Sequence, residues 1–139
     1  MTNTEVLKNK LSEIKKYLTI VKSYQTKSKE DLINDQTLRG AVERYLYLLC
    51  QTTIDFSEAL ISHLNFRQPS TYGEIFEILY EQKIISQSVS LKMKKMTGFR
   101  NILTHAYGEI NLDILVEVLQ KDINDFLLFI EEVQKKIKI

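Results

Sequence analysis

An arginine, an amide, an imidazole and a phenol stand close together in one part of the chain, at Arg100, Asn101, His105 and Tyr107. An imidazole, with an ordinary pKa of about 6.5, can move the proton of an RNA 2′-hydroxyl, while a fixed guanidinium holds the negative phosphate. Those two groups can cleave a phosphodiester without a metal ion. Arg100 and His105 supply them, so this stretch could perform acid–base cleavage of RNA.

The spacing of these residues predicts their directions on a helix. Asn101 and His105 are four residues apart and share one stripe, so Asn101 can hydrogen-bond His105 and orient its ring. Arg100 shares another stripe with Thr104 and Tyr107, which diverges from the first by roughly 100° or more. Either the helix distorts near Thr104, or the site needs a second chain. We favour a two-fold dimer, which would offer two imidazoles, one as base and one as acid.

A purely structural interpretation of the same residues stands beside the chemical one. Arg100 could be a cation at a helix end, His105 a histidine near a helix C-terminus, and Tyr107 a half-buried aromatic residue. Gly108 would then be the left-handed cap of the helix. One arginine and one histidine at this spacing are a weak pattern, and the spacing taken alone favours the structural interpretation.

The region from about Arg39 to Asn111 resembles the HepT family of HEPN-domain toxins, whose hallmark is a closely spaced arginine and histidine. The motif here has the form R-N-x-x-x-H-x-Y. Other parts that agree in order and spacing are residues 40–44, Asp55, residues 69–79 and residues 96–101. Two positions depart from the family pattern. Thr104 stands where a small aliphatic residue is expected, and Cys50 and Gln51 interrupt a stretch that often has an acidic residue followed by a small one. Neither removes a proposed catalytic group.

The resemblance implies a metal-independent endoribonuclease that acts as the toxin of a type VII-like toxin–antitoxin system. It implies a homodimer with both motifs in one cleft, and an MNT-type nucleotidyltransferase antitoxin that AMPylates the motif tyrosine, here Tyr107. In the mechanism we expect, His105 acts as base or acid and Arg100 stabilises the phosphorane. Asn101 orients His105 or the phosphate, and Tyr107 lines the cleft. The products would be a 2′,3′-cyclic phosphate and a 5′-hydroxyl.

A second hypothesis of a different class uses the same residues. The chain could be a non-catalytic helical adaptor that binds a nucleotidyltransferase and presents substrate to it. Arg100 and His105 would then bind rather than cut. The residues alone separate the two hypotheses poorly.

Charge predicts where RNA would be attracted. The net charge is only +1, so the whole molecule is not a polycation that coats nucleic acid. Lys92, Lys94 and Lys95 form a local basic cluster, and no acidic residue occurs between Lys83 and Glu109. The cluster could bind an RNA backbone with strong salt dependence. It could equally be a solvated helix face.

Composition favours one all-α domain over residues 1–139. The chain has only 4 Gly and 1 Pro, which leaves little room for a turn-rich β fold. Cys50 is the single cysteine and lies in an apolar run, which indicates a buried thiol. The histidines and the cysteine lack zinc-ligand spacing, so we expect no metal and no cofactor. Without a membrane span or signal peptide in the sequence, we expect a cytoplasmic protein that does not bind membranes.

Hydrophobic periodicity predicts an up-and-down four-helix bundle with an additional short helix. The expected helices open at Thr2, run from Asp31 or Asp35 to Leu64, cover 72–81 as the short helix, extend from about Gln87 to near Gly108, and follow Asn111 as N-cap. The fourth of these helices carries the apolar residues Val89, Met93, Met96, Ile102 and Leu103.

Overall fold

The computed structural model describes residues 3–105 and 110–139, and all regular secondary structure in those ranges is helical. The elements are α1 (Asn3–Lys22), α2 (Lys29–Asn34), α3 (Gln36–His63), α4 (Tyr72–Glu81), α5 (Gln87–His105), α6 (Leu112–Glu117), a π-helical turn (Val118–Asp122) and α7 (Asn124–Lys136). The all-α prediction is confirmed. The predicted opening of the first helix at Thr2 lies outside the described residues.

The long helices form a bundle around α3. Helix α3 contacts α1, α4 and α5, and α5 also contacts α7. Their apolar faces merge into one cluster of buried side chains. At its centre the ring of Phe129 meets Phe56 and Phe76 edge-on, with ring centres 6.4 and 5.7 Å apart. The four-helix bundle with the short extra helix α4 is confirmed.

The stretch expected to be one long second helix is divided at Asp35. This residue has an extended backbone, and its carboxylate accepts a hydrogen bond from the backbone N–H of Leu38 at 3.0 Å. Asp35 therefore caps α3, which confirms one of the two predicted starts of this helix. The start at Asp31 was wrong, because Ser28 and Asp31 form a capping box that opens the separate short helix α2.

Helix α5 positions the motif residues. It is tied to α4 by Ser90, whose hydroxyl donates to the Phe76 carbonyl at 3.0 Å. It remains α-helical through His105, and the Thr104 hydroxyl donates back to the Arg100 carbonyl at 3.0 Å. The alternative in which the helix distorts near Thr104 was therefore wrong. A regular helix leaves Arg100 and His105 pointing in different directions.

Most of the apolar residues of α5 are turned toward the core. Val89, Met93 and Met96 are buried and Leu103 is half-buried, but Ile102 is 46% exposed. Ile102 is on the opposite side of α5 from Arg100, which faces α3. The Ile102 side chain therefore lies outside the core.

The last helix is interrupted by the π-helical turn. Asn111 caps α6 as predicted, accepting from the backbone N–H groups of Asp113 and Ile114 at 2.9 and 3.2 Å. Beyond α6, the N–H of Ile123 donates to the Val118 carbonyl, five residues back, at 3.0 Å. The expectation of one continuous helix was wrong, because a π turn adds one residue to the ladder. No helix in the described ranges is long and apolar enough to cross a membrane.

Candidate functional site

The Arg100 side chain extends from α5 across α3 and is half-buried there. Its Nε–H donates to Oε1 of Gln51 at 2.8 Å. The Nε2 of Gln51 donates in turn to Oδ1 of Asp55 at 2.8 Å, which fixes the orientation of the amide. Arg100 is thus held by a neutral oxygen, and its positive charge is not cancelled by a carboxylate in direct contact.

Two tyrosine rings also contact the guanidinium. Its Cζ lies 5.8 Å from the ring centre of Tyr47 on α3 and 5.1 Å from that of Tyr72 at the start of α4. Each such cation–π contact is worth about 0.5–2 kcal/mol, depending on how far it is desolvated. Three helices therefore fix the direction of Arg100 before any substrate binds, so little rotamer entropy is lost on binding.

Asn101 interacts with Arg100 in this structure. Its Oδ1 accepts from Nη1 of Arg100 at 3.1 Å. Within the described residues, the expected hydrogen bond from Asn101 to His105 is not present, because the Asn101 amide is turned toward the guanidinium. The Nη2 group of Arg100 has no hydrogen-bond partner among those residues, which leaves N–H donors for an anion.

His105 is the last described residue of α5, and its side chain is exposed to solvent. The single chain does not bring its imidazole and the Arg100 guanidinium together, since the helix carries them on different sides. Tyr107 lies outside the described residues.

Each lysine of the predicted RNA-binding cluster has an acidic neighbour. The Nζ atoms of Lys92, Lys94 and Lys95 lie 3.9, 3.6 and 3.5 Å from carboxylate oxygens. Those carboxylates belong to Asp125, Glu77 and Asp122, respectively. The cluster spreads over both sides of α5, because Glu77 is on α4 while the two aspartates are on the π turn and α7. Its role in RNA binding stays a prediction.

Sequence reasoning missed the residues that hold Arg100. Tyr47, Gln51 and Asp55 recur every four residues, so they form one half-buried polar stripe along α3. That stripe was a usable signal, because polar side chains on a buried helix face need partners. The partner could not be identified, since Arg100 is far away in sequence.

Cys50 is buried, as predicted. Burial raises the pKa of its thiol to about 12, which nearby Arg100 only partly opposes. The thiol is therefore protonated at neutral pH and is not a nucleophile. Among the described residues, no group of three or more His, Cys, Asp or Glu side chains could hold a metal ion.

Comparison with known proteins identifies relatives along nearly the whole chain. The family model described as Ribonuclease HepT-like matches residues 14–133. The mRNA nuclease HepT of Shewanella oneidensis is 31% identical over 134 residues, covering 94% of this chain and 97% of that protein. The tRNA nuclease HepT of Aphanizomenon flos-aquae is 24% identical over 135 residues, covering 96% of this chain and 92% of that protein.

Solved structures resemble this fold as well. The tri-AMPylated HEPN toxin of Shewanella oneidensis, in complex with an MNT antitoxin, superposes with a TM-score of 0.84. It is 29% identical and covers 98% of this chain and 100% of that one. The cytosolic protein YutE of Bacillus subtilis, at 17% identity and a TM-score of 0.79, covers 95% of this chain and 88% of its own and supports the fold alone.

Proposed function

Because this chain belongs to the family of HepT-like ribonucleases and is an RNase, we propose that it is a toxin that cuts RNA without a metal ion. The observation that carries the proposal is the fixed guanidinium of Arg100. It is held by Gln51 and two tyrosine rings, and among the described residues its Nη2 group has no hydrogen-bond partner. A preorganised cation of this kind is suited to a phosphate that gains charge in the transition state.

In the proposed reaction one His105 imidazole takes the proton of the 2′-hydroxyl, and the resulting oxygen attacks phosphorus. Arg100 stabilises the additional negative charge on the phosphorane, and Asn101 keeps the guanidinium oriented. The bond to the 5′ oxygen then breaks, and a protonated imidazole donates a proton to that leaving group. The products are a 2′,3′-cyclic phosphate and a 5′-hydroxyl.

We propose that two copies of the chain complete the site. The regular α5 points Arg100 and His105 apart, so a partner must bring its own groups alongside. Ile102 is three residues before His105 and shares its side of the helix. Together with exposed Ile114 it borders an apolar groove of about 420 Å³ between α5, α6 and the π turn. A second copy packed on this groove would lie next to His105.

Substitution of His105 tests the catalytic assignment. We expect His105→Ala to abolish cleavage of total RNA in chelator, while its thermal unfolding midpoint stays close to that of the parent. A mixture of His105→Ala and Arg100→Ala chains should regain a small part of the activity, because a mixed dimer keeps one imidazole as the base and one guanidinium in the shared cleft, while water replaces the second imidazole as the acid. Full activity of His105→Ala would refute the assignment. No recovery in proven mixed dimers would refute the shared site. The adaptor hypothesis predicts no cleavage by the unmodified protein.

We further propose that an MNT-type nucleotidyltransferase is the antitoxin and that it AMPylates Tyr107. The support is the motif position of this tyrosine and the AMPylated Shewanella toxin in complex with its MNT antitoxin. Each added AMP brings a phosphate that competes for the Arg100 guanidinium. Intact-mass measurement after co-expression should show AMP-sized additions, and Tyr107→Phe should lose one. If Tyr107 stays unmodified, the AMPylation proposal is wrong and the antitoxin could inhibit the toxin only by binding it.

A further inference from the structure

The four arginines of the chain divide into two kinds. Arg39 is paired with a glutamate at 3.2 Å, and Arg67 is paired with two glutamates at 2.7 and 2.9 Å. Arg44 and Arg100 have no carboxylate within ion-pair distance among the described residues. Two arginines are therefore neutralised within the fold, whereas no carboxylate in the described part of the chain neutralises the other two.

Arg44 and Arg100 share one aromatic ring. The guanidinium carbon of Arg44 lies 5.5 Å from the ring centre of Tyr47, and that of Arg100 lies 5.8 Å from the same centre. Two like charges beside one ring repel each other, and a bound anion reduces that repulsion. The arrangement is thus more favourable with bound phosphates than without them.

A cleft connects Arg44 with the end of the motif helix. Arg44 is exposed, and it lines an open cleft of about 440 Å³ together with Tyr47. The remaining lining residues are Gly40, Glu43, Leu103 and Thr104. Glu43, the one carboxylate among them, is already paired with Arg39. Thr104 directly precedes His105, so a strand in the cleft would lead to the proposed catalytic group.

From this geometry we infer that Arg44 binds a second phosphate of the RNA strand, next to the phosphate held by Arg100. The ring of Tyr47 supports both guanidinium groups and sets their spacing. The two charges can be no further apart than the sum of their distances to the ring, a span that neighbouring phosphates of one strand can bridge. This inference rests on the proposed function, since it extends the same RNA site by one contact.

The test measures binding without cleavage, in protein carrying His105→Ala, with a fluorescent single-stranded RNA. Arg44→Ala should weaken binding about tenfold, because a charge-assisted hydrogen bond to phosphate is lost. The slope of log Kd against log salt should fall by about 0.7, the value for one phosphate contact on a single strand. Arg67→Ala is the matched control and should change neither quantity, since that guanidinium is already neutralised.

A second arm locates the contact on the RNA. Single phosphates are replaced by uncharged methylphosphonates, one position at a time. One position beside the cleavage site should weaken binding to the His105→Ala parent but have no further effect on the Arg44→Ala variant. If Arg44→Ala matches Arg67→Ala in affinity and salt slope, the inference is wrong. If the His105→Ala parent itself binds no RNA, the proposed function is wrong. That result differs from the one that refutes the inference alone, in which the parent binds RNA and Arg44→Ala changes nothing.

Discussion

Two basic regions of this molecule differ in what neutralises their charge. Lys92, Lys94 and Lys95 form the cluster that is evident in the sequence, yet each has a carboxylate within 4.0 Å. Arg44 and Arg100 are far apart in sequence but share the ring of Tyr47 and have no acidic partner among the described residues. Local density of positive charge therefore does not measure the charge that is available to a ligand.

The difference follows from where each side chain is directed. Lys92 and Lys95 extend toward α7 and the π turn, where they meet the carboxylates of Asp125 and Asp122. Arg100 extends toward α3, whose polar stripe provides an amide and a phenol ring. Exposed ion pairs contribute only about 0–1 kcal/mol, so the lysine pairs stabilise the fold little and mainly reduce the local field.

We expect the greatest loss of activity when Arg100 is replaced by a residue that keeps the positive charge but not the planar guanidinium. Arg100→Lys should lower kcat about 10²–10³-fold, because an ammonium cannot make the fork of parallel hydrogen bonds or the same stacking contacts. Steady-state cleavage of a defined RNA measures it, with the thermal unfolding midpoint as the folding control. Retention of more than a tenth of kcat would show that charge alone suffices, and the contrast with the lysines would lose its basis.

A smaller effect should follow when the support of Arg100 is removed. Gln51→Leu keeps the side-chain bulk but deletes the acceptor of Nε–H, so we expect kcat to fall about tenfold with little change in KM. Gln134→Leu, an exposed change on α7, is the control. In an Arg100→Ala background, Gln51→Leu should have no additional effect on residual activity. An equal loss in both backgrounds would mean that Gln51 acts on the fold and not through Arg100.

The smallest effect is expected for the lysines. Replacing Lys92, Lys94 and Lys95 together by glutamine should weaken RNA binding less than threefold at physiological salt, because their partners already offset their charge. The measurement is the RNA affinity of the His105→Ala protein. Glu77→Gln with Asp122→Asn should instead tighten binding by freeing two of the lysines. A tenfold loss in the triple variant would show that the lysine pairs open on binding and act as principal RNA contacts.

Much of the fold could be predicted because it is encoded locally. The apolar periodicity identified the long helices, and Asp35 and Asn111 marked helix starts through side-chain oxygens close to the backbone they cap. The π turn escaped prediction, because periodicity over a short stretch does not reveal one additional residue.

The candidate site could be predicted only as far as its residue types allowed. Arg100 and His105 were recognisable from their motif. The orientation of Asn101 toward Arg100 was not, because two partners lie within its reach and the fold decides between them. The acidic partners of the lysines were equally hidden, since they come from helices distant in sequence. Contacts of that kind depend on tertiary packing, which a single sequence does not display.

The π turn gives the last helical run one residue more than a regular helix would need. Deleting one residue there would restore the regular α-helical hydrogen bonds between residues four apart, but it would rotate all of the following helix by about 100°. The turn supplies Val118 and Asp122 to one wall of the apolar groove, whereas the support of Arg100 comes from α3 and α4. The shape of the groove on which a second copy would pack can therefore change during evolution without moving Arg100, because that side chain is supported by α3 and α4.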